Sequence, residues 1–166
     1  MRIKSLSYLV AALFLATACA ETMQDGGAGQ GSGGNQQAAS SVKPGTGRDF
    51  VVNVGDRVFF EFDKSSLNSD SRTQLEKQAA WLKKFGNVSL TLEGHADERG
   101  TREYNLALGE RRANSAKDFL VALGIAPNRI RVISYGKERP AALGQNEAAW
   151  RQNRRAVTVV AGSPSS

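Results

Sequence analysis

The segment Val88–Gly124, VSLTLEGHADERGTREYNLALGERRANSAKDFLVALG, decides the architecture of the chain. Its first residues, Val88-Ser89-Leu90-Thr91-Leu92-Glu93-Gly94, alternate apolar and polar with period 2, the pattern of a half-buried strand. Ala116, Phe119, Leu120 and Leu123 recur at helical spacing, so a long helix is expected over about Glu103–Leu123, ended by Gly124 ahead of Pro127. Upstream, Val58-Phe59-Phe60-Glu61-Phe62 reads as a short aromatic strand ending at Asp63. Leu75, Ala79, Leu82 and Phe85 mark a helix over Ser69–Phe85, with Ser69 or Ser71 as cap and Gly86-Asn87 as stop. Downstream, Ile130–Ser134 and Ala156–Val160 read as strands with a short helix near Glu147–Arg151 between them. The expected class is α/β, a two-layer α+β sandwich: β-α-β-α-β-(short α)-β, a mixed sheet of about four strands packed on two long helices, over residues 48–166.

The chain of 166 residues suits one such core with extensions. A single cysteine excludes an internal disulfide framework, and a single histidine would leave a zinc site dependent on carboxylates, so neither a metal nor a cofactor is expected. The net charge of +6 suits an anionic partner without choosing one. Residues 1–18 have the layout of a secretory signal peptide, with Arg2 and Lys4 ahead of an apolar run too short to span a bilayer. Ala16-Thr17-Ala18 before Cys19 resemble a bacterial lipoprotein box, although Ala16 stands where a large aliphatic residue is usual. Cys19 is therefore the expected lipidation site; the competing reading is an ordinary signal peptide that leaves it a free thiol. Ala20, rather than an aspartate, points to the outer membrane of a Gram-negative cell. Residues 19–47 form a Gly/Ser/Gln tether without apolar periodicity, spanning roughly 30 Å as a coil.

Two residues break the domain's pattern. Arg112 lies four residues after Leu108 and four before Ala116, on the apolar stripe of its helix. Either its stem covers the core while its head reaches water, or it is a partly desolvated anion clamp. Asp97 lies in the loop after the second strand, a common place for a ligand site; it either caps local amides or presents an unpaired carboxylate to a cation. His95 reads as a structural hydrogen-bonder at a strand end, because a catalytic base would need a nucleophile and an orienting partner that the sequence does not supply. There is no Gly-rich phosphate loop, H-E-x-x-H or G-x-S-x-G, and no aromatic-rich basic face for nucleic acid.

Glu93-Gly94-His95-Ala96-Asp97-Glu98-Arg99-Gly100-Thr101, Tyr104-Asn105, Leu108-Gly109-Glu110-Arg111-Arg112-Ala113, Ser134–Pro140 and Asn153–Val157 together resemble the OmpA-like peptidoglycan-binding domain over roughly Arg57–Ala161. The likeness is to the lipid-anchored, peptidoglycan-associated (Pal) branch in particular. It implies a non-catalytic protein that holds the diaminopimelate residue of the peptidoglycan stem peptide and tethers the outer membrane to the wall. It also implies membership of the Tol-Pal system, with TolB and other Tol proteins as partners, and a part in envelope integrity and cell-division constriction. Carried over by motif, Asp97 takes the ligand's ammonium and Arg112 its carboxylate, roles that suit a head group bearing both charges. Phe62 and Asp63 match the family's F-D pair and are expected to line the same pocket. Asn105 and Leu108 are secondary candidates, and Arg154 and Arg155 either support the site from the last strand or merely begin that strand. The alternatives are a lipoprotein that mainly binds TolB, with weak or no wall binding, and a lipid-anchored wall hydrolase. The hydrolase would need a carboxylate pair or metal cluster for which one histidine leaves little material.

Overall fold

A computed structural model of the chain describes residues 42–161. The expected signal peptide, lipidation at Cys19 and tether as far as residue 41 lie outside the described residues. Helix α1 spans Gly47–Asn53, followed by β1 (Arg57–Phe59), α2 (Ser69–Lys84), β2 (Leu90–His95) and α3 (Arg102–Ala122). A 3-10 turn at Pro127–Arg129 leads into β3 (Ile130–Gly136), and α4 (Glu147–Asn153) precedes β4 (Arg155–Val160). The four strands form one mixed sheet in the order β1-β4-β2-β3. Strands β2 and β3 pair in parallel, with α3 as the crossover between them, whereas β4 runs antiparallel to both β1 and β2. The architecture is the expected α/β one.

The core lies between one face of the sheet and the two long helices. Leu75, Ala79 and Leu82 of α2 and Ala113, Ala116 and Leu120 of α3 meet Leu90 and Leu92 of β2 and Ala156 and Val160 of β4. These are the period-3.6 and period-2 positions of the respective elements. The cap of α2 is Asn68, whose side chain accepts from the Ser71 amide, rather than Ser69 or Ser71. The first strand is shorter than its aromatic run suggests, because the chain turns after Phe60 and Asp63 adopts a left-handed backbone (φ 56°).

Helix α1 is an addition to the expected order. Thr46 caps it by accepting from the Asp49 amide, and Asp49 in turn accepts from the Gly45 amide, Asn53 Nδ2 and Trp81 Nε1. Phe50 is fully buried, with its ring 5.0 Å edge-on to Trp81. Residues 42–47, read from composition as tether, therefore include the cap that joins α1 to the folded unit.

One contact decides where α3 sits. A Cβ on Gly94 would fall 1.8 Å from the Gly109 carbonyl oxygen, and a Cβ on Gly109 would fall 2.4 Å from Ser134 Oγ. Two glycines thus let the helix backbone lie directly on β2. A glycine inside a helix costs about 1 kcal/mol relative to alanine, so its presence is explained by this approach. The result is that the face of α3 carrying Asn105, Leu108 and Arg112 stands beside the end of β2.

Candidate functional site

The chain leaves β2 at His95 and turns through residues 96–101 before Thr101 caps α3 by accepting from the Tyr104 amide at 3.2 Å. The turn is pinned through its carbonyls. Lys137 Nζ donates to Glu98 O (3.2 Å) and Gly100 O (2.6 Å), and Asn105 Nδ2 donates to Arg99 O (2.8 Å). Asp97 sits at the start of this turn, only 5% exposed.

A cleft of about 210 Å³ opens beside it, lined by Phe62, Asp63, Asp97, Arg99, Gly100, Tyr104, Asn105, Leu108 and Arg112. Two segments distant in sequence meet there: the loop after β1, and the loop after β2 together with the first half of α3 that follows it. Asn105, Leu108 and Arg112 are spaced three and four residues apart on one helix face, and all three are buried. At the mouth, the Tyr104 hydroxyl donates to the Asp63 carboxylate, joining α3 to the left-handed turn. That bond pushes the Tyr104 phenol up from its ordinary pKa. A wider hollow of about 800 Å³ lies between β1, the start of α2 and α4, and it contains none of the seven residues assigned to the site from sequence.

Arg112 is fully buried, head included, so the reading in which its guanidinium reaches water is overturned. Its Nε donates to Lys64 O (2.9 Å), Nη1 to His95 O (2.8 Å) and Nη2 to Glu61 O (3.2 Å). These bonds tie the loop after β1 to the end of β2. Burial pulls its pKa down to about 10, with the charge of Asp97 opposing, so it remains a cation at neutral pH. Among the described residues no carboxylate lies within ion-pair distance of it. Of the five N–H donors of a guanidinium, two remain beyond the three bonded to carbonyls.

Asp97 is not the unpaired carboxylate that its loop position suggested. Oδ1 accepts from the backbone amide and the Nε of Arg99, both at 3.2 Å, and Oδ2 accepts from Arg99 Nη2 at 2.6 Å and Arg154 Nη1 at 3.4 Å. Burial pushes its pKa up, but the Arg99 side chain and amide together with Arg154 outweigh this and hold it below the ordinary value. Arg154, 2% exposed, also donates to Phe60 O and to Glu147 Oε1 (2.6 Å), bridging α4 to the cleft. The Arg99 guanidinium is sandwiched 4.0 Å from the Phe62 ring on one side and 4.0 Å from the Trp150 ring on the other.

Six of the seven sequence-derived site residues thus surround one cleft, and Arg155 does not. Successive strand residues point to opposite faces. Ala156 and Val160 face the helices, so Arg155 lies on the far face, where its Nη2 donates to Arg139 O at 3.2 Å. His95 is on that face as well, completely buried. Neither of its ring nitrogens has a hydrogen-bond partner among the described residues, so it is not the hydrogen-bonder its strand-end position implied. Burial, with the charges of Arg155 and Arg139, pulls its pKa down to about 3. The sequence reading missed Arg99, Gly100 and Tyr104 as lining residues, and Trp150 and Lys137 as their supports. The one local signal was the spacing of Arg99 two residues after an aspartate, which permits a side-chain turn.

Comparison with known proteins places this geometry. The OmpA family matches residues 59–154, a span that contains every residue of the cleft. A peptidoglycan-associated lipoprotein of Brucella melitensis is 48% identical over 164 residues, covering 98% of both chains. One from Rhizobium meliloti is 55% identical over 127 residues, covering 76% of this chain and 72% of the relative. Among solved structures, the peptidoglycan-associated lipoprotein of Burkholderia pseudomallei superposes with a TM-score of 0.62 at 42% identity, over 63% of this chain and 89% of that one. The C-terminal domain of Helicobacter pylori MotB superposes with a TM-score of 0.60 at 23% identity, covering 65% and 85%, a likeness of fold alone. The chain belongs to the OmpA family. Within that family its relatives over nearly the whole length are the peptidoglycan-associated lipoproteins, which are structural proteins rather than enzymes.

Proposed function

We propose that the cleft beside Asp97 and Arg112 binds the diaminopimelate side chain of the peptidoglycan stem peptide without chemistry, and that the chain thereby tethers the outer membrane to the wall. The observation that supports this is Arg112: a fully buried cation lining an open cleft, with no carboxylate within ion-pair distance among the described residues. A buried charge satisfied by carbonyls alone is costly, and a carboxylate that reached its two remaining N–H groups would relieve that cost. The diaminopimelate head bears a carboxylate and an ammonium together, and Asp97 is the carboxylate of the cleft that would take the second group once one of its present donors is displaced. Phe62, Asp63, Asn105 and Leu108 shape the walls around it. The names of the relatives favour peptidoglycan over other ligands of this chemistry.

In the same proposal the protein is an outer-membrane lipoprotein anchored through Cys19, with its domain in the periplasm. It works within the Tol-Pal system, binding TolB on a surface that overlaps the cleft. The test is equilibrium binding of the full-length chain to a diaminopimelate stem peptide and to its lysine counterpart, which has the ammonium but lacks the side-chain carboxylate. Preference for the first by about tenfold or more is expected when one partner of a buried charge pair is removed. Equal affinity for the two would sink the assignment of Arg112 and favour TolB as the main partner.

A further inference from the structure

The acceptor capacity of Asp97 is full. An ionised carboxylate offers about four lone-pair positions. Four donors occupy them: the Arg99 amide and Nε on Oδ1, and Arg99 Nη2 and Arg154 Nη1 on Oδ2. An incoming ammonium therefore finds no free position until one of these donors leaves.

Three features show which donor can leave. Arg154 is held by two further bonds, to Phe60 O at 3.0 Å and Glu147 Oε1 at 2.6 Å, and its side chain is 2% exposed. The Arg99 amide is fixed by the turn, whose carbonyls at Glu98, Arg99 and Gly100 are captured by Lys137 and Asn105. The Arg99 guanidinium differs from both. Its side chain is 32% exposed and, apart from Asp97, it touches the flat faces of Phe62 and Trp150. Contacts of a cation with a ring face fix no direction in the plane, so the guanidinium can slide between the rings without losing them. The negative charges of Glu147 and Glu98 also act on it.

We infer that Arg99 is an internal competitor for the ligand's ammonium: parked between Phe62 and Trp150, its guanidinium occupies Asp97 and slides off when a cationic head binds. This rests on the proposed reading of the cleft as a diaminopimelate site. The device sets affinity, and Arg112 sets selectivity. A ligand bearing only an ammonium must evict Arg99 with no second contact, whereas a head that also brings a carboxylate engages Arg112 and offsets the eviction. Apparent affinity is reduced by the fraction of molecules in which Asp97 is free, so deleting the competitor raises it by the inverse of that fraction.

Calorimetric titration of the full-length chain and of Arg99→Ala with a diaminopimelate stem tripeptide tests this directly. Arg99→Ala keeps the backbone amide on Asp97 and removes only the displaceable donors. Its affinity should rise about tenfold if Asp97 is free in about a tenth of wild-type molecules. Arg99→Lys, a cation that cannot chelate both oxygens, should fall between the two. The lysine-containing peptide should gain by the same factor, because its ammonium has to displace the same side chain from Asp97. An unchanged or weakened affinity in Arg99→Ala overturns the inference, because Arg99 would then orient Asp97 or touch the ligand itself. Absence of binding by the wild-type chain overturns the reading of the cleft instead.

Discussion

Replacing Arg112 with alanine should damage the fold before it reports on the ligand. The guanidinium donates to three main-chain carbonyls, Lys64 at 2.9 Å, His95 at 2.8 Å and Glu61 at 3.2 Å, from a position with no exposed surface. Hydrogen bonds to a charged group contribute roughly 1.5–3 kcal/mol each, and a buried acceptor left unpaired costs about 1–3 kcal/mol. Relief from burying the cation, the same burial that draws its pKa to about 10, works in the opposite direction. Removing a buried charged partner typically nets a loss of about 3–5 kcal/mol, and that range is the expectation here. In urea, with a slope of about 1–3 kcal/mol per molar, the unfolding midpoint of the full-length chain should fall by about 2 M. A loss below about 1 kcal/mol would refute the claim that Arg112 knits the loop after β1 to the end of β2. Arg112→Lys keeps a charge but not the fork, so it should recover part of the stability and little of the carboxylate binding. Impaired binding in the alanine variant therefore identifies a ligand contact only at temperatures where that variant is folded.

Gly109→Ala would place a methyl group 2.4 Å from Ser134 Oγ and 2.8 Å from the Gly94 carbonyl oxygen. It should cost several kcal/mol in denaturant melts despite the gain in helix propensity, while alanine at exposed Gly86, where a Cβ meets nothing within 4 Å, should not. Acid should destabilise the domain through His95. Its folded pKa is depressed to about 3 from an unfolded 6.5, so its contribution is complete above pH 6.5 and is lost as pH falls towards 3, by about 1.4 kcal/mol per pH unit. Urea melts across that window should show the slope in the wild type and lose it in His95→Gln; an unchanged slope in the variant would assign the acid sensitivity to the carboxylates.

The long elements were legible because each carries enough periodic positions to average out exceptions. Leu75, Ala79 and Leu82, and then Ala116 and Leu120, all arrive in the core where spacing put them. Helix α1 was not legible by that route. Seven residues with only Asp49 and Phe50 buried make no period, and its one local cue, Thr46 capping the amide of Asp49, falls at the end of a stretch dominated by glycine, serine and glutamine. The first strand was read too long because its aromatic run continues past the point where the backbone turns. Phe60 enters the core while Phe62 turns out to hold Arg99.

The site divides along a similar line. Residue type and helical phase marked Arg112 as a cation on an apolar stripe and Asp97 as an anion in a loop. From these alone the economical pairing is with the same ligand, or with each other. The structure satisfies both internally first: Arg112 through carbonyls 48 and 51 residues upstream, and Asp97 through Arg154, 57 residues downstream, as well as through Arg99 next to it. A sequence shows which charges must be buried, but the partner that satisfies a buried charge is chosen by the tertiary fold. The same limit explains Arg154 and Arg155. They are adjacent, identical in chemistry and equally plausible as supports, yet one guanidinium reaches Asp97 and the other lies across the sheet. On the proposed reading, a ligand at this cleft would draw on the capacity left after the fold has used its share: two N–H groups of Arg112, and a carboxylate that becomes available only where Arg99 gives way.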